Sequence, residues 1–536
     1  MNRLTAAWLL VVALVSCGPK TAPAVPAGAA APPSATTAHP QPAQAPPPAA
    51  APAKPPVVAG VAPATSAAER TPVDDLRAEF DRLFRGPTFD RMLWGVQVQS
   101  LTTGEVLYAC NETKLLMPAS NMKIVTLAVA AERLGWDHTF ETKVVAKGQV
   151  DAGVLHGDLV IVGSGDPTIN GRSGAATAVF EDWAARLREA GIKTVSGRVI
   201  ADDRLFDAEP LGAGWSWDYL VYGYAAPVTA LQFNENVAEV VVRPGSAEGL
   251  PAMVFVRPEG SGLSVLNHVT TSAAGTQPAI EVRRMAGSAR LDVSGTVAAA
   301  ASDVVRSVAV DDPVRFFAQA FKNVLTANGV SVRGEAVNAR TLDPAPDVSA
   351  IEPILVRRSA PLSEIAKVLM KVSQNLYAET LVKTLGAQAG TGSIEAGEKV
   401  IQEVLESWGV PPESHVLVDG SGLSRYNYVT AQMLGQVLRH LYLDQRHRQP
   451  FIDSLPIAGV EGGTLARRMR GTRAAGNVRA KTGSIANVRA LSGFVQTVDG
   501  EPLVFSFLAN NFTQPQATID HAIDLAAERL ANFSRK

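Results

Sequence analysis

A lysine stands in the first turn of a helix that offers it no polar face. The stretch MPASNMKIVTLAVAAERLG, residues 117–135, contains an apolar, Ala-rich run over 124–131 and closes on Gly135, the pattern of a buried helix. A buried ammonium is costly unless something uses it. Any fold of this chain therefore has to bring partners to Lys123. Ser120 lies three residues earlier, and positions i and i+3 share one helical face. The hydroxyl and the amine can meet. The plain structural reading makes Ser120 an N-cap and lets Lys123 snorkel to the surface.

The chain has 536 residues, 46% of them hydrophobic, enough for two or three domains with their own cores. Its formal net charge of −2 argues against nucleic acid as the main partner. The first segment is not part of the fold. Arg3 precedes an apolar run over 4–15 that is too short to span a bilayer. That run ends in Leu14-Val15-Ser16-Cys17, which resembles the lipobox of a bacterial lipoprotein signal. The resemblance implies cleavage before Cys17 and acylation of that residue; an ordinary secretory signal is the alternative. Either reading exports the protein.

Residues 18–70 are mostly Ala, Pro, Ser and Thr (QPAQAPPPAAAPAKPP) and carry no apolar periodicity. They cannot bury a core and read as a disordered, polyproline-like tether. At about 3 Å per residue such an arm reaches on the order of 150 Å. With Cys17 lipidated, Cys110 is left alone, so no internal disulfide forms and Cys110 reads as a small packed residue. No HExxH pattern is present, and His440 and His447, among Arg and Asp, read as surface. Neither a metal nor an organic cofactor is expected.

Two polar interruptions lie far downstream. Ser373-Gln374-Asn375 sits between helix-like runs, and Lys481-Thr482-Gly483-Ser484 sits on a strand-like segment. That segment is followed by ALSGFVQT and PLVFSFLANN, with Asp499-Gly500 between them as a hairpin turn. S-x-x-K, then S-x-N, then K-T-G, each found once and in this order, resembles the motif set of the penicillin-recognising serine enzymes.

The chemistry explains these residue types. Ser120 must attack a carbonyl, and a free hydroxyl needs a base within reach. Lys123 serves if its amine is neutral, which burial and a nearby cation, Lys481, favour. Ser373 can pass a proton between the lysine pair and the leaving amine. Asn375 can hold Lys123 and a substrate carbonyl. The N–H groups of Ser120 and Ser484 are the candidate oxyanion donors. Lys481 and Thr482, with Ser484, would receive a substrate carboxylate.

About 200 residues are inserted between Ser120 and Ser373 relative to compact members of that superfamily, room for further domains. HGDLVIVGSGDPTI, WSWDYLVYGYAAPVTALQFNEN, DGSGLSRYNYVTA and SLPIAGVEGGTLARRMRG are similar to one branch. That branch is the penicillin-binding protein 4 type D-alanyl-D-alanine carboxypeptidase/endopeptidase, a class C low-molecular-mass penicillin-binding protein. The resemblance covers residues 70 to the C-terminus. It implies an α/β (α+β) fold: a β-lactamase/transpeptidase-like domain with an antiparallel sheet and helices, 71–142 and 342–536. An inserted domain, 143–237 and 312–341, interrupts it and carries a nested strand-rich domain, 238–311. The residues agree in outline, with helices read over 74–85, 313–327 and 516–533 and strands over 94–107.

The expected activity is serine-type D-Ala-D-Ala carboxypeptidase and endopeptidase action on peptidoglycan stem peptides and cross-links, through an acyl-enzyme on Ser120 that β-lactam antibiotics also form. The expected location is periplasmic, anchored to the outer membrane through Cys17. The rivals are a β-lactamase, for which no deacylating Glu motif is evident, and a non-catalytic peptidoglycan-binding lipoprotein, which would tolerate loss of a motif residue. Glu379 reads as structural or supporting. LVIVGSGDPT imitates a dinucleotide loop, but Thr168 replaces the third Gly and Pro167 breaks the following helix. Asp166 and Asp203 read as turn or packing residues.

Overall fold

The run PLVFSFLAN is apolar without alternation, and the structure shows why. The computed structural model describes residues 70–536; the signal over 1–17, the lipidation of Cys17 and all but the last residue of the tether over 18–70 lie outside the described residues. Strand Pro502–Asn510 lies in the middle of a five-stranded antiparallel sheet whose order is Arg479–Ile485, Val488–Gln496, Pro502–Asn510, Leu93–Ser100, Val106–Cys110. Successive side chains point to opposite faces, and here both faces are covered. Leu503, Phe505, Phe507 and Ala509 pack with Phe80 and Phe84 of helix Pro72–Phe84 and with Ile519 and Ile523 of helix Gln516–Ala531. Val504 and Leu508 face the other way, toward helices Met122–Leu134 and Ala431–Leu443. The Ser492 and Ser506 hydroxyls satisfy each other at 2.9 Å inside this layer.

The sheet draws its strands from both ends of the described chain, with Trp94 opposite Ala509 and Lys481 opposite Ser492. Between them the chain leaves to build a second assembly. Strands Glu141–Asp151, Val154–Val162 and Val199–Asp202 form the heart of a mixed seven-stranded sheet, which helices Ala178–Glu189 and Pro313–Ala327 cover with a cluster of Phe180, Trp183, Phe317 and Phe321. Two three-stranded sheets follow within residues 237–309. The fold is thus α/β of the α+β kind, with helices and largely antiparallel sheets interrupted by inserted sheets.

One strand was not legible. Leu355–Arg358 pairs antiparallel with Glu141–Asp151 and closes the edge of the seven-stranded sheet, beyond the boundary at 342 read from sequence. Four residues, LVRR, are too short a pattern to register as a strand. The histidines also differ from expectation. His447 is 3% exposed: its Nδ1 accepts from the Trp136 indole at 3.1 Å and its Nε2 lies 2.7 Å from Glu132. His440 stacks on Trp408 with ring centroids 4.1 Å apart. Both were read as surface because their partners lie elsewhere in the sequence. Glu132, Asp444 and His447 lie together, but the indole N–H at Nδ1 leaves the proton on Nε2, which cannot then ligate a metal. Cys110 is buried and free.

Candidate active site

Helix Met122–Leu134 is buried on every side from Met122 to Ala131 and ends at Gly135, whose φ of +82° suits a residue without Cβ. Ser120 sits just before it in the single 3₁₀ turn Ala119–Asn121 and caps no backbone N–H. The N-cap reading of Ser120 is therefore wrong, and so is the snorkelling lysine. The Lys123 side chain is fully buried. Its Nζ lies 3.0 Å from Ser120 Oγ, 2.6 Å from Asn375 Oδ1 and 2.8 Å from the Ser421 carbonyl oxygen. A neutral amine has two N–H donors and one lone pair. The two carbonyl oxygens take the donors, which leaves the lone pair for the Ser120 hydroxyl proton.

The other motifs arrive on separate elements. Ser373 lies between helices Leu362–Lys371 and Asn375–Gln388, at a φ of +62° that a non-glycine residue adopts only under constraint from its surroundings. Its hydroxyl accepts from Lys481 Nζ at 2.8 Å. Lys481, on edge strand Arg479–Ile485, is as buried as Lys123 and also donates to the Thr482 carbonyl. The Asn121 side chain ties the Lys481 carbonyl to the Ser120 turn at 2.9 Å. Gly483 permits that contact, since a Cβ there would stand 2.7 Å from the Pro118 carbonyl oxygen.

Burial lowers the Lys123 ammonium to about 7, against the opposing pull of the Glu379 and Asp419 carboxylates. Lys481 falls well below the ordinary lysine range, first through burial and second through the charge of Lys123. Burial, one of the two expected causes, is the first cause for both amines, and the two lysines repel each other across the site.

A cleft of about 450 Å³ opens over these groups, lined by Ser120, Ser373, Asn375, Thr482 and Ser484. Lys123, Lys481 and Gly483 lie behind its wall rather than on it. Several residues join that the motifs did not single out. Thr464, from the GGTLARRMRG segment, meets the Thr482 hydroxyl at 2.8 Å. Tyr219 and Tyr224 come from the inserted chain and line one side. The Tyr224 carbonyl accepts from Asn375 Nδ2 at 2.8 Å, which turns Oδ1 toward Lys123 and leaves one amide N–H for a ligand. Asp166 is engaged by Thr168 and Arg357, and Asp203 by Arg340 at 2.8 Å, so both are packing residues, as read.

A buried Ser–Lys pair with a second hydroxyl and a second lysine, opening on one cleft, is the equipment of an acyl-transfer enzyme that uses lysine where others use histidine. Residues 76–530 match the sequence pattern of the D-Ala-D-Ala carboxypeptidase 3 (S13) family, and the chain belongs to that family. It is 37% identical over 486 residues to a D-alanyl-D-alanine carboxypeptidase of Actinomadura sp. (strain R39), covering 89% of this chain and 88% of the relative. It is 24% identical over 424 residues to the D-alanyl-D-alanine carboxypeptidase DacB of Haemophilus influenzae, covering 78% and 85%. Its fold matches the crystal structure of penicillin binding protein 4 (dacB) from Haemophilus influenzae with a TM-score of 0.72 at 23% identity, covering 86% of this chain and 99% of that one.

Proposed function

We propose that this serine-type D-Ala-D-Ala carboxypeptidase removes the terminal D-Ala of peptidoglycan stem peptides and also opens D-Ala–diaminopimelate cross-links. The observation that carries this reading is the 3.0 Å contact between a fully buried Lys123 amine and Ser120 Oγ beneath an open cleft. Neutral Lys123 takes the Ser120 proton as Oγ bonds to the penultimate D-Ala carbonyl carbon. The N–H groups of Ser120 and Ser484 hold the oxyanion. As the C–N bond breaks, Ser373, in contact with Lys481, gives its hydroxyl proton to the leaving amine and is reprotonated from the lysine pair, which so gives up the proton Lys123 took. Thr482 and Ser484, on the cleft wall, receive the terminal carboxylate, with the Lys481 amine behind them. Water then cleaves the ester and restores Ser120.

The test is intact-mass spectrometry of residues 70–536 after mixing with benzylpenicillin. One whole-penicillin adduct, mapped to the peptide bearing Ser120, is the expected result. Hydrolysed antibiotic without an adduct would identify a β-lactamase instead. Intact antibiotic without an adduct would leave a binding protein. Because the neutral amine is the base, acylation should rise as pH increases through about 7 and level off above it. A rate flat from pH 5 to 9 would exclude Lys123 as the base.

The site's location is part of the same reading. A lipid on Cys17 and an Ala/Pro arm over 18–70 would let an outer-membrane anchor serve a polymer held in another layer. Cys17→Ala should move the protein from the membrane fraction to the soluble periplasm. Retention in the membrane would refute the anchor.

A further inference from the structure

One buried carboxylate beneath the site has no place in the steps above. Glu379 lies one turn after Asn375 on helix Asn375–Gln388 and is 1% exposed. Its two oxygens accept from consecutive backbone N–H groups, Gly420 at 2.9 Å and Ser421 at 2.8 Å. The carbonyl of that same Ser421 is one of the two acceptors that hold Lys123. We propose that Glu379 is a positioning residue for Lys123, fixing the two peptides that lead into Ser421 so that the next carbonyl, that of Ser421, claims one amine hydrogen and the lone pair points at Ser120. This inference rests on Lys123 being the base.

Two carboxylates hold that carbonyl between them: the Ser421–Gly422 peptide that carries it gives its N–H to Asp419 at 2.7 Å, and Glu379 holds the two peptides before it. The Gly420 carbonyl, on the other side of the Gly420–Ser421 peptide, accepts from Thr126 on the helix that carries Lys123. Asp419 gathers the rest of the loop, accepting from the N–H groups of Gly422 and Ser424 and from the Trp215 indole at 2.9 Å. A Cβ on Gly420 would meet Val382 and the Ala378 carbonyl of the Glu379 helix, so the loop and that helix are in direct backbone contact. Three carboxylates and two amines face this volume: Glu379 and Asp419, Glu398 from helix Ile394–Ser407, Lys123, and Lys481 from the edge strand. Glu379 and Asp419 favour the charged form of Lys123, and burial opposes it.

The substitution Glu379→Gln separates positioning from mere packing. It is isosteric, but its amide end presents a donor to a backbone donor, so one of the two loop bonds is lost. Acylation by benzylpenicillin should fall at least about tenfold through displacement of the amine. Its acid limb should move, because the Glu379 carboxyl, pushed up to about 8 by burial against its two loop bonds, titrates beside Lys123 in the wild type and nothing titrates there in the variant. Glu379→Asp, which keeps the carboxyl, should leave the limb near its wild-type position. A purely structural glutamate would lower the rate or the melting temperature without moving the limb. An acylation rate within twofold of wild type, or a limb that stays in place in a folded Glu379→Gln protein, overturns the proposal. Should Glu379→Gln not fold, Glu379→Asp is read instead: its shorter arm cannot keep both loop bonds and should slow acylation about threefold or more, and a wild-type rate there also overturns the proposal. Lys123→Met is measured alongside. If it acylates normally, the base assignment has failed; if it is inert while Glu379→Gln is normal, only the positioning role has failed.

Discussion

Lys123→Met should lose at least about a thousandfold in the rate of acylation by benzylpenicillin and still fold. Proton transfer by a placed base contributes about 10²–10⁴, and this lysine is the only amine within hydrogen-bond reach of Ser120 Oγ among the described residues. Methionine follows the same path through the core without a basic atom. It leaves the Asn375 Oδ1 and Ser421 carbonyl acceptors unpaired, each at a cost of about 1–3 kcal/mol. It also removes the desolvation of an amine, which offsets part of that loss. The time course of the covalent adduct at pH 8, read by intact mass, decides the matter. A rate within tenfold of wild type would show that another group takes the serine proton.

Gly422→Ala should damage the site without touching any residue of the three motifs. Gly422 lies at a φ of +80°, where an alanine costs about 1–2 kcal/mol. An added Cβ would stand 1.8 Å from the Ala119 carbonyl oxygen, and that atom is backbone. Ala119 immediately precedes the nucleophile and is itself held at a φ of +45°, so it cannot yield without moving Ser120. A displacement on the order of 1 Å is worth about a hundredfold in rate. The expected outcome is a lower urea midpoint together with slow acylation. A variant that is destabilised but acylates at the wild-type rate would show that the loop at 422 and the serine turn move independently.

The legible and illegible parts of the site divide along a physical line. Ser120, Lys123, Ser373, Asn375 and Lys481 could be read because each acts through a side chain whose type is costly in its setting: a lysine inside an apolar helix, polar residues breaking two helices. The acceptors at Tyr224 and Ser421 could not, because a backbone carbonyl is the same in every residue. Glu379 was visible only as a glutamate on a helix; its two partners lie 41 and 42 residues away. The five-stranded sheet was partly legible, since its hairpin of long apolar strands is punctuated by Asp499-Gly500, whereas the pairing of Trp94 with Ala509 joins segments with nothing local in common. Burial of Lys123 was legible in kind from the apolar helix but not in extent, because the amount of solvent excluded depends on the whole packed core.

That pairing also sets the order of events during synthesis. Strands Leu93–Ser100 and Val106–Cys110 emerge first, yet the only strand that covers the inner edge of Leu93–Ser100 is Pro502–Asn510, near the other end. Until then the early hairpin presents an open edge, the kind of surface that pairs with the wrong chain. Closing so distant a contact is slow, while the intervening sheets within 141–358 can form from nearer neighbours. The Ser120 turn and the K-T-G strand lie about 360 residues apart and meet through the Asn121 side chain and the Lys481 carbonyl, so a chain stopped short of residue 481 lacks half of its site however much of the insertion it has built.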